Sequence, residues 1–394
     1  MKFVDNIPVW GTADPGAVSQ IKTCAETADK VALMADHHKG YAVPIGGVVA
    51  YKDAISPSGV GFDIACGNKA VRLEGIDATA LRARICEIMD EVWSEISFGI
   101  GRKNYERVDH PLFERGSHPG WHIEAAKSLK EMAHSQLGTV GSGNHYVDIF
   151  TDEQDRVWIG VHFGSRGLGH KTAKWFLKTA GAKDGMDVPP CVLDANSDLG
   201  QQYLLAMDLA GKYAYAGRDW VCIKVARILH GTIVEEVHNH HNFAWRETHS
   251  GEEYWVVRKG ATPAFPGQRG FVGGTMGETS VILEGVENED ARHSLYSTVH
   301  GAGRVMGRME AKGKVDRKTG ETKRAGKVTQ DMMDGWVKRA GVQLRGAGVD
   351  ESPDCYKRLA DVLAEHGNSI RILHTLTPVG VAMAGENEHD PFKD

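Results

Sequence analysis

Asp63, Cys66, His145, His162 and His241 place carboxylate, thiol and imidazole donors in separate glycine- or histidine-rich segments of the chain. Oxygen, sulfur and nitrogen donors drawn from distant points are what a folded metal site needs. Asp63 and Cys66 stand three apart within Gly61-Phe62-Asp63-Ile64-Ala65-Cys66-Gly67, a glycine-bounded turn that lets both side chains converge on one point. A free cysteine taken alone is more often an apolar core filler. The aspartate beside it and the histidines elsewhere turn the balance toward a ligand. The donor set by itself suits zinc, cobalt, iron or manganese. A further histidine, His300, precedes Gly301-Ala302-Gly303-Arg304. In isolation such a histidine is more often a capping or solvated residue, yet a neutral imidazole, with a reference pKa of about 6.5, is also a competent nucleophile.

The elements that must carry these residues are partly legible. Asp14-Pro15 reads as an N-cap and first-turn proline opening a helix to about Lys30. Val43 to Lys52 reads as a strand kinked or bulged at Gly46-Gly47. Asp77 opens a second helix with Leu81, Ile85, Ile88, Val92 and Ile96 at helical spacing. Val157 to Phe163 suits a buried strand, with His162 near its end. Leu199 to about Val237 reads as one long helix, with Ile223, Ala226, Ile228 and Ile233 on its apolar side. Tyr254–Val257 and Val281–Leu283 read as strands, and Asp354 to Glu365 as a closing helix. Ala311 to Lys327, with Asp316-Arg317-Lys318-Thr319-Gly320 at its tip, reads as an exposed basic hairpin or loop. Its Lys312, Lys314, Arg317, Lys318, Lys323, Arg324 and Lys327 suit a solvated loop better than an RNA contact. Candidate donors fall all along the chain, so any cut would split the site. The expectation is one mixed α and β domain over residues 1–394.

Hydrophobic residues at 41% and charged residues at 25% are ordinary for a globular protein. Glycine, 47 of 394, exceeds the usual share of about 7% and gathers in clusters that suggest a site built from loops. No run of 18 apolar residues is present, and the first residues lack a secretory pattern. The six cysteines show no framework spacing, so the expectation is a cytoplasmic protein with no membrane partner. A net charge of −6 argues neither for nor against nucleic acid, which needs a local basic patch. No Walker sequence or dinucleotide fingerprint is present.

The words Gly59-Val60-Gly61-Phe62-Asp63-Ile64-Ala65-Cys66-Gly67, Gly143-Asn144-His145, Val161-His162-Phe163-Gly164-Ser165-Arg166-Gly167, His240-His241-Asn242 and His300-Gly301-Ala302-Gly303-Arg304 follow in that order. Together they closely resemble the RtcB family of RNA ligases, from about Met34 to the C-terminus. The resemblance implies an α+β fold, with mixed sheets surrounded by helices and a dinuclear metal site built from loops. It implies two Mn2+ ions bridged by Cys66, with Asp63 and His145 on one and His162 and His241 on the other. It implies GTP as cosubstrate and His300 as the nucleophile that takes GMP. Asn144, Asp148, Asn242, Gly273, Gly274, Thr275, Met276, Ser280, Gly301, Ala302, Gly303 and Tyr356 match nucleotide-binding positions, Asp148 standing where most members carry Glu. Asp36 matches an aspartate that orients the 5′-hydroxyl. Arg166, counted with His300 and Asp36 among the expected catalytic residues, and Arg304 and Arg308 are expected to face RNA or phosphate, for which a guanidinium fork is suited. The implied partners are RNA ends bearing 3′-phosphate or 2′,3′-cyclic phosphate and 5′-hydroxyl, in splicing or repair. Whether an activating protein partner is required stays open.

One departure stands out. Gly380-Val381-Ala382-Met383-Ala384-Gly385 occupies the place of the family's terminal Val-Lys-Gly word, so Ala384 replaces a lysine that contacts guanine, followed by the acidic tail Glu386–Asp390. This leaves two rivals to a sealing ligase: a metal-dependent nucleotidyltransferase that caps 3′ ends without efficient sealing, and a non-catalytic binder of RNA ends. A binder has no need of the His300 nucleophile. Transfer of GMP label from GTP separates enzyme from binder, and RNA with defined ends separates ligase from capping enzyme.

Overall fold

Short β-branched and aromatic runs alternate with helical periodicity, and a computed structural model, describing residues 1–183, 185–315 and 322–385, arranges them around two large sheets. The smaller sheet orders its strands as Lys2–Val4, Ile7–Val9, Lys30–His38, Ile45–Tyr51, Glu252–Lys259 and Asn242–His249. The larger runs Thr232–His240, Gly67–Glu74, Val157–Phe163, Tyr146–Thr151, Ile370–Gly385, Ser280–Gly285 and Arg269–Val272, with Gln343–Ala347 added in parallel to Ile370–Gly385. This is the mixed α+β fold expected. Among the described residues no helix is long and apolar enough to cross a membrane.

One helix serves both sheets. Asp198–Ile228, N-capped by Ser197, packs Tyr203, Met207 and Ala210 into the apolar layer under the smaller sheet. Its later turns put Val221, Cys222 and Val225 under the larger sheet, beside Leu81, Met89 and Val92 of the helix Ala78–Glu95. Burying such side chains contributes about 1.5–3 kcal/mol each before entropy is counted. The helix therefore ties the two layers into one frame.

Several expected elements are as read, and others change type. Asp77 caps Ala78–Glu95, and Val157–Phe163 is a fully buried strand. The strand with a kink is Ile45–Tyr51, where Gly46 adopts φ +78° as the pairing with Lys30–His38 shifts. The first helix stops at Ala25, and Lys30 begins a strand instead. The long helix stops at Ile228, not Val237: His230 turns left-handed and Gly231 follows, after which β-branched Thr232, Ile233 and Val234 extend as a strand. Ile223 accordingly lies 43% exposed, while Ala226 is buried. The closing helix is only Leu359–Ala364, preceded by a 3₁₀ turn at Pro353–Cys355. The sixteen-residue strand Ile370–Gly385 was not expected. Within 311–327, Gly313–Val315 pairs antiparallel with Thr322–Ala325 as a hairpin. Its tip, with Arg317 and Lys318, and the tail from Glu386 lie outside the described residues.

The smaller sheet holds a buried ion pair that reaches the site. Arg258 is wholly buried and donates to both Glu247 oxygens, at 2.6 and 3.1 Å. It also donates to Ser297 Oγ at 2.7 Å and Leu295 O at 2.8 Å, pinning the chain that leads into His300. Burial opposes ionisation of Glu247, yet the Arg258 charge and the His249 hydrogen bond hold its carboxyl below the usual range. Removing one partner strands the other charge, so Glu247→Ala should cost about 3–5 kcal/mol in urea unfolding. Because the folded pKa is depressed, the pair's contribution is full above the unfolded value of about 4.3 and lost as pH falls through the folded one. The stability gap between wild type and Glu247→Gln should therefore be flat from about pH 6 to 8 and shrink below about pH 4. A gap that widened on acidification would refute this account.

Candidate functional site

Four neighbouring strands of the larger sheet each bring a donor to the same end. His241 follows Thr232–His240, Cys66 precedes Gly67–Glu74, His162 is the penultimate residue of Val157–Phe163, and His145 precedes Tyr146–Thr151. The register pairs His240 with Gly67, Gly67 with Phe163, and Tyr146 with His162, which aligns those ends side by side. His241 is also the single residue between a strand of the larger sheet and Asn242–His249 of the smaller. Asp63 arrives on the turn into Cys66, closed by the Cys66 N–H donating to Asp63 O at 3.0 Å. Two glycines permit this crowding. A Cβ on Gly67 would lie 2.2 Å from Asn239 O, and one on Gly164 would lie 2.1 Å from the Asp63 carboxylate.

The donor atoms converge. Cys66 Sγ lies 3.2 Å from His162 Nε2 and 3.5 Å from His145 Nε2. His162 Nε2 is 3.3 Å from His241 Nε2, and His145 Nε2 is 3.1 Å from Asp63 Oδ2. His162 Nδ1 faces Asn144 O at 3.0 Å; a carbonyl only accepts, so Nδ1 holds the proton and Nε2 offers its lone pair. Burial pushes His162 and His241 well below their ordinary value, which keeps both neutral. Burial opposes ionisation of Asp63 too, but the His145 hydrogen bond and charge hold it low. Burial and the Asp63 charge push the Cys66 thiol up, so its proton leaves only when a cation takes its place. The Cys66 thiol and the His145 and His162 imidazoles lie within 4.8 Å of one another, with Asp63 against His145 and His241 against His162, a donor set that fits a divalent metal ion. A second grouping, Asp152, Glu153 and His374, is instead closed by Arg156 and Trp158, both of which donate to Asp152.

His300 follows the short strand Ser297–Val299 and lines the same cavity. Its Nδ1 lies 2.6 Å from Asp36 Oδ2, which also accepts from the His300 N–H at 3.0 Å and the Gly301 N–H at 3.4 Å. Asp36 is wholly buried; burial opposes its charge, and His300 holds it below the carboxylate range. Lys357 stands behind it, donating to Ala35 O and His37 O at 2.9 and 3.0 Å. The His300 ring sits 4.8 Å from that of His241. Asp36 thus faces His300 rather than open cavity.

Most other expected residues line this cavity: Asn144, Asp148, Asn242, Gly273 to Met276, Gly301 to Arg304, Arg308 and Tyr356. Asp148 is buried with Oδ1 unbonded, and burial pushes its carboxyl well above the ordinary range. Asn242 Oδ1 accepts from the Gly260 N–H at 2.7 Å. Arg304 donates to Tyr356 Oη at 2.7 Å and Asp350 O at 2.8 Å, and Arg308 pairs with Asp350 and Glu351, so both guanidiniums are already engaged on the wall. Besides Asp36, three expected residues sit outside it. Arg166 donates to Thr139 Oγ1 at 3.1 Å and Gly99 O at 2.6 Å, bracing the loop before His145. Ser280 Oγ accepts from the Gly274 N–H at 2.9 Å from behind. Ala384 packs with Ala382 in the layer of the helix Ala78–Glu95, while Val381 and Met383 alternate onto the cavity side.

Arg218 is a site residue beyond those expected from the sequence. Wholly buried, it donates Nη1 to Ala65 O at 3.0 Å and Phe163 O at 2.6 Å, Nε to His238 at 2.8 Å, and Nη2 to His240 Nδ1 at 2.9 Å. Ala65, Phe163 and His240 each adjoin a donor of the cluster. Burial pushes the guanidinium down to about 10, still charged at neutral pH. An arginine directly after Ala214-Tyr215-Ala216-Gly217, a run of small and aromatic residues, is the available signal. Asp350 and Glu351, holding Arg304 and Arg308, are two more such residues.

A lysine cannot reproduce four donors in a fixed plane. Arg218→Lys should therefore weaken binding of Mn2+ or Zn2+ by about 10- to 100-fold in calorimetric titration of the chelator-stripped protein. Unchanged affinity would show that the strands hold the donors without this brace.

The family model described as tRNA-splicing ligase RtcB matches residues 17–384. Among similar proteins, the RNA-splicing ligase RtcB of Escherichia coli K12 is 31% identical, the match covering 89% of this chain and 88% of that one. The tRNA-splicing ligase RtcB of Thermococcus kodakarensis is 29% identical over 89% and 86% of the two chains. The RNA-splicing ligase RtcB of Mycobacterium tuberculosis is 30% identical over 88% and 95%. With donors from four strand ends meeting beside a carboxylate-held histidine, and a match across nearly its whole length, the chain belongs to the RtcB family of RNA ligases.

Proposed function

We propose that this RNA ligase uses GTP and two Mn2+ ions to join RNA 3′-phosphate or 2′,3′-cyclic phosphate ends to 5′-hydroxyl ends. The observation that carries the reading is the 2.6 Å contact from Asp36 to His300 Nδ1. It leaves Nε2 as the lone-pair nitrogen in a cavity shared with the metal donors. His300 Nε2 attacks the α-phosphorus of GTP, pyrophosphate leaves, and the GMP is then passed to the RNA 3′-phosphate; the 5′-hydroxyl displaces it. Two ions, when bound, neutralise triphosphate charge and orient the in-line attack.

The donors pair as such a centre needs, Asp63 with His145 and His162 with His241, with Cys66 between them. Asn144, Asp148 and Tyr356 line the part of the cavity assigned to the nucleotide, and Asp148, protonated by burial, can donate to a base carbonyl. Arg304 and Arg308 assist phosphate from a wall already organised by Asp350 and Glu351. Donors spread from Asp36 to Tyr356 support one catalytic unit, and six unpaired cysteines support a reducing, cytoplasmic setting. The capping rival is separated by supplying 3′-phosphate RNA with and without a 5′-hydroxyl partner.

Wild-type protein with labelled GTP and manganese should gain an acid-labile, alkali-stable GMP adduct. His300→Ala should lose it yet keep its metals. Asp36→Asn, which cannot fix the same tautomer, should form it about 10²–10⁴-fold more slowly. An adduct mapped by mass spectrometry to another residue would overturn the assignment. By elemental analysis, Cys66→Ala should lose both ions; two tightly held equivalents would refute the bridging role.

A further inference from the structure

His38 lines the cavity beside His300 and belongs neither to the metal donors nor to the nucleotide wall. It ends the strand Lys30–His38, paired with Ile45, which lines the same wall. Its Nδ1 lies 3.1 Å from Asp36 O. A carbonyl oxygen only accepts, so Nδ1 carries the ring proton and Nε2 carries the lone pair. Among the described residues Nε2 has no hydrogen-bond partner.

The cavity's other bases are engaged. Asp36 Oδ2 is occupied by His300 and Gly301, and its Oδ1 is buried. Asp63, Cys66, His145, His162 and His241 face one another. Glu351 is held by Arg308 and Tyr356. Asp148 keeps its proton because burial disfavours the charge. Among the described residues His38 offers the cavity a basic nitrogen that belongs neither to the metal-donor cluster nor to the Asp36–His300 pair.

We propose that His38 is the general base of the sealing step, its Nε2 accepting the proton of the RNA 5′-hydroxyl as that oxygen attacks the activated 3′-phosphorus. The inference rests on the ligase reading above. In the step an oxygen–phosphorus bond forms and the bond from that phosphorus to the oxygen of GMP breaks. GMP leaves with the electron pair, and the proton on Nε2 passes to solvent. Burial keeps the ring neutral beforehand, and the phosphates that enter with RNA raise its basicity.

Two variants test this. His38→Asn keeps an N–H able to reach the Asp36 carbonyl but has no basic atom at Nε2, and His38→Gln sets a non-basic amide near that position. Full-length protein with manganese is given RNA already carrying the 3′-guanylate, together with a partner strand ending in 5′-hydroxyl or 5′-thiol. In both variants the ratio of hydroxyl sealing to adduct formation from GTP should fall by about 10²–10⁴-fold. A thiol, with a pKa of about 8.5, ionises unaided, so the same ratio measured with the 5′-thiol strand should stay within about threefold of wild type. Equal losses on both strands would mean that His38 only shapes the wall, and undiminished hydroxyl sealing would mean that it does nothing; either result overturns the proposal. If the wild type itself forms no guanylyl adduct, the ligase reading fails first, and that outcome is seen before any variant is compared.

Discussion

A single buried guanidinium is the constraint around which the site is arranged. Arg218 contributes donors to Ala65 O on a turn, to Phe163 O on one strand and to His238 and His240 on another. Placing a charge in an apolar layer is costly unless its donors are met, so the strands must come to it in one arrangement. Because the helix that carries it packs under both sheets, that arrangement is referred to both cores at once. Cys66, His162 and His241 inherit their positions as the next residues along.

The same economy of means fixes protonation. His162, His300 and His38 each have Nδ1 against an oxygen that accepts, the carbonyl of Asn144, the carboxylate of Asp36 and the carbonyl of Asp36. With Nδ1 so engaged, Nε2 is the ring nitrogen left to offer a lone pair. One buried residue, Asp36, sets two of them, and Lys357 sits close enough to its segment to balance its charge. On the opposite wall Asp350 and Glu351 hold Arg304 and Arg308 in place. The engaged arginines lose less side-chain entropy when an anion arrives, a gain set against competition from their existing carboxylates.

Local chemistry explains which elements were legible. Asp77 before a periodic apolar face and the all-apolar Val157–Phe163 are decided by neighbours in the chain. The helical reading runs past Ile228 because Gly231 is the one strong local break before Thr232–His240; its partner Gly67–Glu74, distant in sequence, makes that segment a strand. Ile370–Gly385 was missed for the same reason, since its three flanking partners all come from remote segments. Ala384 shows the limit of position-by-position reading. The resemblance sets it in place of a base-contacting lysine, but alternation along the last strand turns its side chain to the helix layer rather than the cavity.

The sequence by itself determined the inventory: a carboxylate and a thiol three apart, histidines in glycine-rich words, a histidine before Gly-Ala-Gly-Arg, and the family these words mark. Those are covalent facts, carried by order and spacing. Only the tertiary structure decided that four strand ends abut, that Asp36 turns onto His300, that Arg304 and Arg308 are already paired, and that Arg218 braces the cluster. Each of these depends on strand register and on which buried charge finds which partner, and both are properties of contacts between segments tens to hundreds of residues apart, which no local pattern encodes.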